Sequence, residues 1–221
     1  MNGIEQNLIE ILRQTGSRVT LVAVSKNHPV DAIREAYQAG QRIFGENKVQ
    51  EILNKRPLLP DDIQWHLIGH LQTNKVKQIA PFISMIQSVD SLKLLKEISE
   101  QAIKNNRIIN CLLQVFIATE ETKFGFSQPE LSDLLKYLNQ NPMIGVKIRG
   151  LMGMASFTDN QDQIRQEFHG LKSLFDELKE QFFVDQPGFN ELSIGMSGDY
   201  EIAIEEGSTI IRVGTKIFGT R

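Results

Sequence analysis

The chain has 221 residues, 41% of them hydrophobic and 23% charged, with 24 Lys and Arg against 27 Asp and Glu for a formal charge of −3. These are the proportions of a globular domain with ample core, and the mildly acidic balance argues against a nucleic-acid partner, which calls for a basic stripe. No run approaches the roughly 18 apolar residues that a membrane-spanning helix requires. The start, Met1-Asn2-Gly3-Ile4-Glu5-Gln6, lacks the basic and apolar regions of a secretory leader, so a cytoplasmic protein is expected. The single cysteine, Cys111, excludes an internal disulfide and fits a reducing compartment. In the run Cys111-Leu112-Leu113 it reads as a core residue.

In chain order, Ile4, Leu8, Ile11 and Leu12 form an apolar stripe that predicts an N-terminal helix. The near-continuous β-branched run Val19–Ser25 predicts a strand buried on both faces, as in a parallel sheet. Pro29 can occupy the first turn of the next helix, which carries Ile33, Ala36 and Tyr37 and stops at Gly40. The alternation then repeats. Strands are predicted at Arg42–Glu46, Trp65–Gly69, Met85–Val89, Cys111–Ile117, Val146–Met152, Glu191–Met196 and Thr209–Val213. Between them lie stripes at helical spacing: Leu92, Leu95 and Ile98; Leu131, Leu134, Leu135 and Leu138; and Ile164, Phe168, Leu171, Phe175 and Leu178. Ser127-Gln128-Pro129-Glu130 has the form of a capping box.

Eight strands alternating with helices imply a parallel sheet with right-handed crossovers. They suit an α/β fold of the (β/α)8 TIM-barrel type, a closed barrel that begins at about 200 residues, although an open doubly wound sheet has the same pattern. Only eight residues follow Val213, too few for a full eighth outer helix, and the N-terminal helix can cover that gap. A single barrel domain over 1–221 with an extra N-terminal helix is therefore favoured.

In such a barrel, chemistry gathers at the C-terminal ends of the strands. Lys26 and Asn27 end the first, Glu46 and Asn47 the second, and His70 follows the third. Met152, Met154 and Ser156 follow the sixth, Ser197 and Gly198 the seventh, Gly214 and Thr215 the eighth. The segment Gly195-Met196-Ser197-Gly198-Asp199 leads into a short helix expected at Ile202–Glu206. Its free N–H groups and the Ser197 hydroxyl could cradle a phosphate beside Gly214-Thr215, although a plain serine cap would look the same. Lys26 would reach across the barrel mouth, where desolvation would lower its amine pKa and suit it to Schiff-base chemistry. The alternative is a solvated surface lysine. His66 and His70 do not fit a metal pair, since four residues of strand span roughly 13 Å.

Several segments together resemble a known family: Ala23-Val24-Ser25-Lys26, Phe44-Gly45-Glu46-Asn47, Trp65 through Lys75, Arg149 through Met154, Leu192 through Asp199 and Arg212 through Gly219. The resemblance is to the pyridoxal phosphate homeostasis protein family, closest to its cyanobacterial members, and it covers the whole chain. It implies a barrel like the N-terminal domain of alanine racemase, with pyridoxal 5′-phosphate held as an aldimine on Lys26. It implies phosphate contacts from Ser197, Gly198, Gly214 and Thr215, Arg212 facing the pyridine nitrogen, and Asn47 lining the ring. His70 and Met152 are expected as pocket walls. Read without the resemblance, Arg212 is a rim or interior arginine paired with Glu46 or Asp199.

Three functions fit these residues. The favoured one is a non-catalytic protein that stores or delivers the cofactor, affecting vitamin B6 and amino-acid balance, with apo-enzymes as acceptors and a monomer as the expected state. A pyridoxal-dependent amino-acid racemase is the second, and a cofactor-responsive regulator of a partner protein the third. Inverting an α-carbon needs an acid/base on each face of a planar intermediate. In the racemase the second comes from a tyrosine on another domain, which a chain consumed by its barrel would lack. Tyr37, Tyr137 and Tyr200 all fall in helices and offer no substitute.

Overall fold

Each predicted strand forms within a few residues of its expected position in the computed structural model, which describes residues 3–118 and 124–220. The strands are β1 (Thr20–Val24), β2 (Ile43–Glu46), β3 (Gln64–Leu67), β4 (Met85–Val89), β5 (Ile109–Gln114), β6 (Val146–Met152), β7 (Glu191–Ser193) and β8 (Ile210–Val213). Every neighbouring pair is parallel, and β8 pairs with β1 through Thr20–Ile210 to Ala23–Val213, closing the barrel. The open-sheet alternative is thereby excluded. The fifth strand ends at Gln114 rather than Ile117, and Val115 continues only as an isolated bridge to Phe126.

The helices are α1 (Ile4–Thr15), α2 (Val30–Gln38), α3 (Val49–Lys55), α4 (Val76–Ile79), α5 (Leu92–Lys104), α6 (Gln128–Gln140), α7 (Gln161–Phe182), α8 (Tyr200–Glu205) and α9 (Thr215–Phe218). Local chemistry explains several of their ends. Pro29 stands at the N-cap of α2, one step before the position expected of it. The Ser91 hydroxyl caps α5 by accepting from the Leu94 N–H at 3.3 Å, an interaction worth about 1 kcal/mol. Ser127 and Glu130 form the reciprocal capping box ahead of α6. As only the four-residue α9 follows β8, α1 fills the gap, packing on α2 and α9, with the Asn7 side chain donating to the Ile217 carbonyl at 2.9 Å. Leu8 and Ile11 of the N-terminal stripe are buried, but Leu12 is exposed and does not belong to the packed face.

The pleat of each strand divides its side chains between two cores. Leu21, Ala23, Phe44, Trp65, Leu67, Cys111, Leu113, Ile211 and Val213 point outward to the helices, where they meet the predicted stripes. Val22, Met85, Leu112, Met152 and Ile210 point inward and fill the barrel. Met152 is 0% exposed in that layer, so its expected role as a pocket wall is overturned: it lies one layer too deep. Cys111 is buried as expected, and burial pushes its thiol pKa up. Between β5 and β6 the register slips by one residue, since Cys111 faces Ile148 while Leu112 faces Gly150. Gly150 absorbs the slip at φ +153°, where a Cβ would stand 1.7 Å from the Glu191 carbonyl oxygen; only glycine fits there. No helix of the described residues is long and apolar enough to cross a membrane.

Candidate functional site

The C-terminal mouth of the barrel holds a cavity of about 950 Å³. Lys26, Asn47, His70, Ser197, Gly198, Arg212, Gly214 and Thr215 all line it, so eight of the nine expected residues converge and Met152 alone does not. Met154 and Ser156, candidates from the same β6 loop, line it as well. Met154, two residues beyond Met152, keeps its inward parity and rises to the mouth.

The turn carrying Lys26 is gripped from outside the barrel. Ser25, immediately before it, donates its hydroxyl to Glu46 Oε1 at 2.7 Å, and its carbonyl accepts from Lys55 Nζ at 2.9 Å. Asn27, immediately after it, adopts φ +61° and donates its N–H to Glu51 Oε2 at 2.7 Å. An asparagine tolerates that left-handed geometry better than most residues. Lys55 Nζ also joins Glu46 Oε1 at 2.8 Å and Glu51 Oε2 at 3.0 Å, so β2 and α3 together fix the two residues flanking Lys26. Burial raises the Glu46 carboxyl to about 7, against the opposing pull of its bonds from Lys55 and Ser25. Its Oε2 is buried without a partner among the described residues. Glu46 is therefore bound to Lys55 and Ser25 rather than to Arg212.

Opposite Lys26 stand the two small-residue loops. The Ser197 hydroxyl accepts from the Gly214 N–H at 3.2 Å, joining the β7 and β8 loops before any anion arrives. Asp199 Oδ1 accepts from the Met196 N–H at 2.5 Å and holds the loop closed at its base. Burial raises the Asp199 carboxyl while that bond and the nearby Arg212 lower it. The helix after this loop begins at Tyr200, two residues earlier than expected, which brings Ser197 and Gly198 closer to its start.

Arg212 forms the floor. It is 4% exposed and donates from Nη1 to the Ser193 carbonyl and hydroxyl at 2.8 and 2.6 Å, and from Nη2 to the Gly153 carbonyl at 2.9 Å. Burial lowers its pKa to about 10, which leaves it cationic at neutral pH. Asp199 is its nearest charged companion, one of the two partners expected for an interior arginine.

One wall is aromatic. The His70 ring stacks on Phe124 at 4.1 Å, and its Nδ1 lies 2.8 Å from Asp90 Oδ2. Gly69 lets the β2 loop come close, since a Cβ there would be 2.5 Å from the Asn47 carbonyl oxygen. Phe124, Phe157 and His28 also line the mouth and were missed by sequence reasoning. His28 could have been found, as it lies two residues beyond Lys26 on the same loop; the two phenylalanines sit in loops without a motif. His66 does not line the cavity. It points into the barrel, while His70 is exposed, and among the described residues no group of three His, Cys, Asp or Glu could hold a metal ion.

The alanine racemase N-terminal domain family matches residues 1–221. A pyridoxal phosphate homeostasis protein of Aquifex aeolicus is 43% identical over 202 residues, covering 91% of this chain and 86% of its own length. The chain belongs to the pyridoxal phosphate homeostasis protein family. The Escherichia coli member is 34% identical over 244 residues, spanning 100% of this chain and 98% of its own. Among solved structures, PipY of Synechococcus elongatus with PLP bound superposes with a TM-score of 0.89 at 40% identity, covering 98% of this chain and 100% of PipY. Alanine racemase from Bartonella henselae shares the fold, with a TM-score of 0.72 at 18% identity over 99% of this chain but 60% of the racemase. Membership in this homeostasis family accounts for a barrel whose mouth pairs a lysine with two anion-ready loops.

Proposed function

We propose that this protein binds pyridoxal 5′-phosphate in the barrel mouth, attached through the Lys26 amine, and holds it for release to enzymes that need it. The observation that carries this reading is the convergence of Lys26 with the Ser197-Gly198 and Gly214-Thr215 loops around one cavity with Arg212 at its base. The residues fit the cofactor. Ser197, Gly198, Gly214 and Thr215 would take the phosphate through hydroxyl and backbone N–H donors. A Cβ on Gly198 would meet nothing within 4 Å, so the loop leaves open space there. Arg212 would place a cationic donor at the ring nitrogen and disfavour its protonation. When bound, the cofactor supplies an aldehyde carbon that a lysine amine can attack.

The chain's own residues then serve retention more than turnover. Ser25, Asn27 and their partners hold the Lys26 turn in place. None of the three tyrosines lines the cavity: Tyr37 donates to Asp62, Tyr200 donates to Gln14, and Tyr137 lies under Lys96. The tyrosine route to a second proton donor is thus closed among the described residues. Borohydride reduction of the loaded protein followed by peptide mass analysis tests the reading. The pyridoxyl group is expected on Lys26; finding it mainly on Lys48, Lys75 or Lys216 would overturn the assignment.

A further inference from the structure

Behind Arg212 a chain of buried hydrogen bonds crosses the barrel interior. Arg212 Nη1 donates to Ser193 Oγ at 2.6 Å, Ser193 Oγ donates to Gln87 Oε1 at 2.7 Å, and Gln87 Nε2 lies 3.0 Å from His66 Nδ1. All four residues are buried, at 4%, 0%, 0% and 5% exposure. They come from β8, β7, β4 and β3, and the layer lies just above the apolar one, with Gln87 two residues beyond Met85 and Arg212 two beyond Ile210.

The direction of every bond in this chain is forced. A guanidinium can only donate, so Ser193 Oγ must accept from it. The serine proton must then go onward, and the acceptor it meets is the amide oxygen of Gln87. That choice turns the Gln87 NH₂ toward His66, whose Nδ1 must be unprotonated to receive it. The proton of the neutral ring is thereby placed on Nε2. Burial independently lowers the His66 pKa to about 4, so the ring is neutral at physiological pH, as the bonding requires.

We propose that Ser193, Gln87 and His66 are positioning residues for Arg212, a one-way relay that fixes the guanidinium so that its unengaged donors face the cofactor cavity. With Ser193 and the Gly153 carbonyl, the relay occupies three of the five guanidinium N–H groups. The remaining two have no partner among the described residues, and Arg212 lines the cavity. A buried polar chain of this kind is costly unless each member is satisfied, and an apolar layer could fill the barrel as well, as the layer beneath shows. What an apolar layer could not do is hold one orientation of a long cationic side chain.

The inference rests on the reading that the pyridine nitrogen meets Arg212, and the test separates the two. Binding of pyridoxal 5′-phosphate and of its 1-deaza analogue, whose ring carries CH in place of the nitrogen, is compared in wild type, Gln87→Met and Gln87→Glu. Wild type should prefer the pyridine by about tenfold or more, the worth of a hydrogen bond to a charged donor. If wild type binds both alike, the placement of Arg212 at the ring nitrogen fails. Gln87→Met should lose most of the preference while still binding the analogue, and Gln87→Glu, which still accepts from Ser193, should keep more of it. Nitrogen-15 spectra of the protein without cofactor should show His66 protonated on Nε2 alone in wild type and taking a proton on Nδ1 in Gln87→Glu. If wild type discriminates and both variants discriminate equally well, or if His66 carries its proton on Nδ1 in wild type, the relay is refuted.

Discussion

Lys55 Nζ donates to Glu46 Oε1 at 2.8 Å, and the two lie beneath the turn that presents Lys26. This ion pair is buried, and Glu46 Oε2 has no partner among the described residues. Removing one member of such a pair strands the other, which typically costs 3–5 kcal/mol. Lys55→Met should therefore lower unfolding free energy by roughly that amount at pH 8. It should also slow attachment of pyridoxal phosphate, because Ser25 and Asn27 lose their shared anchor. Chemical denaturation and the rate of chromophore formation measure the two effects.

The same carboxyl sets a pH dependence. Burial raises Glu46 from 4.5 to about 7 in the folded protein. A carboxyl raised on folding favours the fold below its ordinary value, and that contribution is lost as pH rises through its folded value. Relative to Glu46→Gln, the wild-type protein should lose stability between about pH 4.5 and 7, by roughly 3 kcal/mol in all. Urea unfolding of both proteins across that range gives the difference directly; a flat difference would return Glu46 to an ordinary carboxylate.

Gly150 carries the register slip between β5 and β6 at a backbone angle closed to other residues. Gly150→Ala would drive a methyl group into the Glu191 carbonyl, so β6 must shift or unpair. We expect a loss of at least 3 kcal/mol, at the upper end of single-residue effects, read as a fall in melting temperature.

Met152 and Ser197 should separate stability from binding. Met152→Ala opens a hole in the inner barrel layer and should cost about 2–5 kcal/mol while leaving cofactor affinity within a factor of two or so. Ser197→Asp places a negative charge at the phosphate cradle and should weaken pyridoxal phosphate binding at least tenfold with little change in stability. Wild-type protein should likewise bind pyridoxal far less well than its phosphate. Titration and thermal unfolding of both variants decide the matter.

Turnover of amino acids should stay below about 1 s⁻¹, under the ordinary enzyme range. One positioned acid/base is commonly worth 10²–10⁴-fold, and no tyrosine reaches the cavity to act as a second. Following α-proton exchange, racemisation, transamination and decarboxylation of single L-amino acids tests this. A faster rate that vanishes in Lys26→Ala would make the protein an enzyme.

The sequence by itself determined the strand set, because strands buried on both faces must be apolar almost throughout, and such runs stand out between helical stripes. It also placed Lys26, Asn47, Ser197, Gly198, Gly214 and Thr215 at one mouth, because in a parallel barrel every residue just past a strand shares the same end. Depth along a strand was beyond it. Met152 and Met154 have the same parity and similar chemistry, and only the stagger of the closed barrel puts the first in the apolar layer and the second at the cavity. Partners across the barrel were equally hidden: Ser193 and Gln87 are 106 residues apart in the chain, and each alone is an unremarkable polar residue in a strand. Closure brings them within hydrogen-bond distance, and with them the relay behind Arg212, because only in three dimensions do β3, β4, β7 and β8 face one another across the same interior.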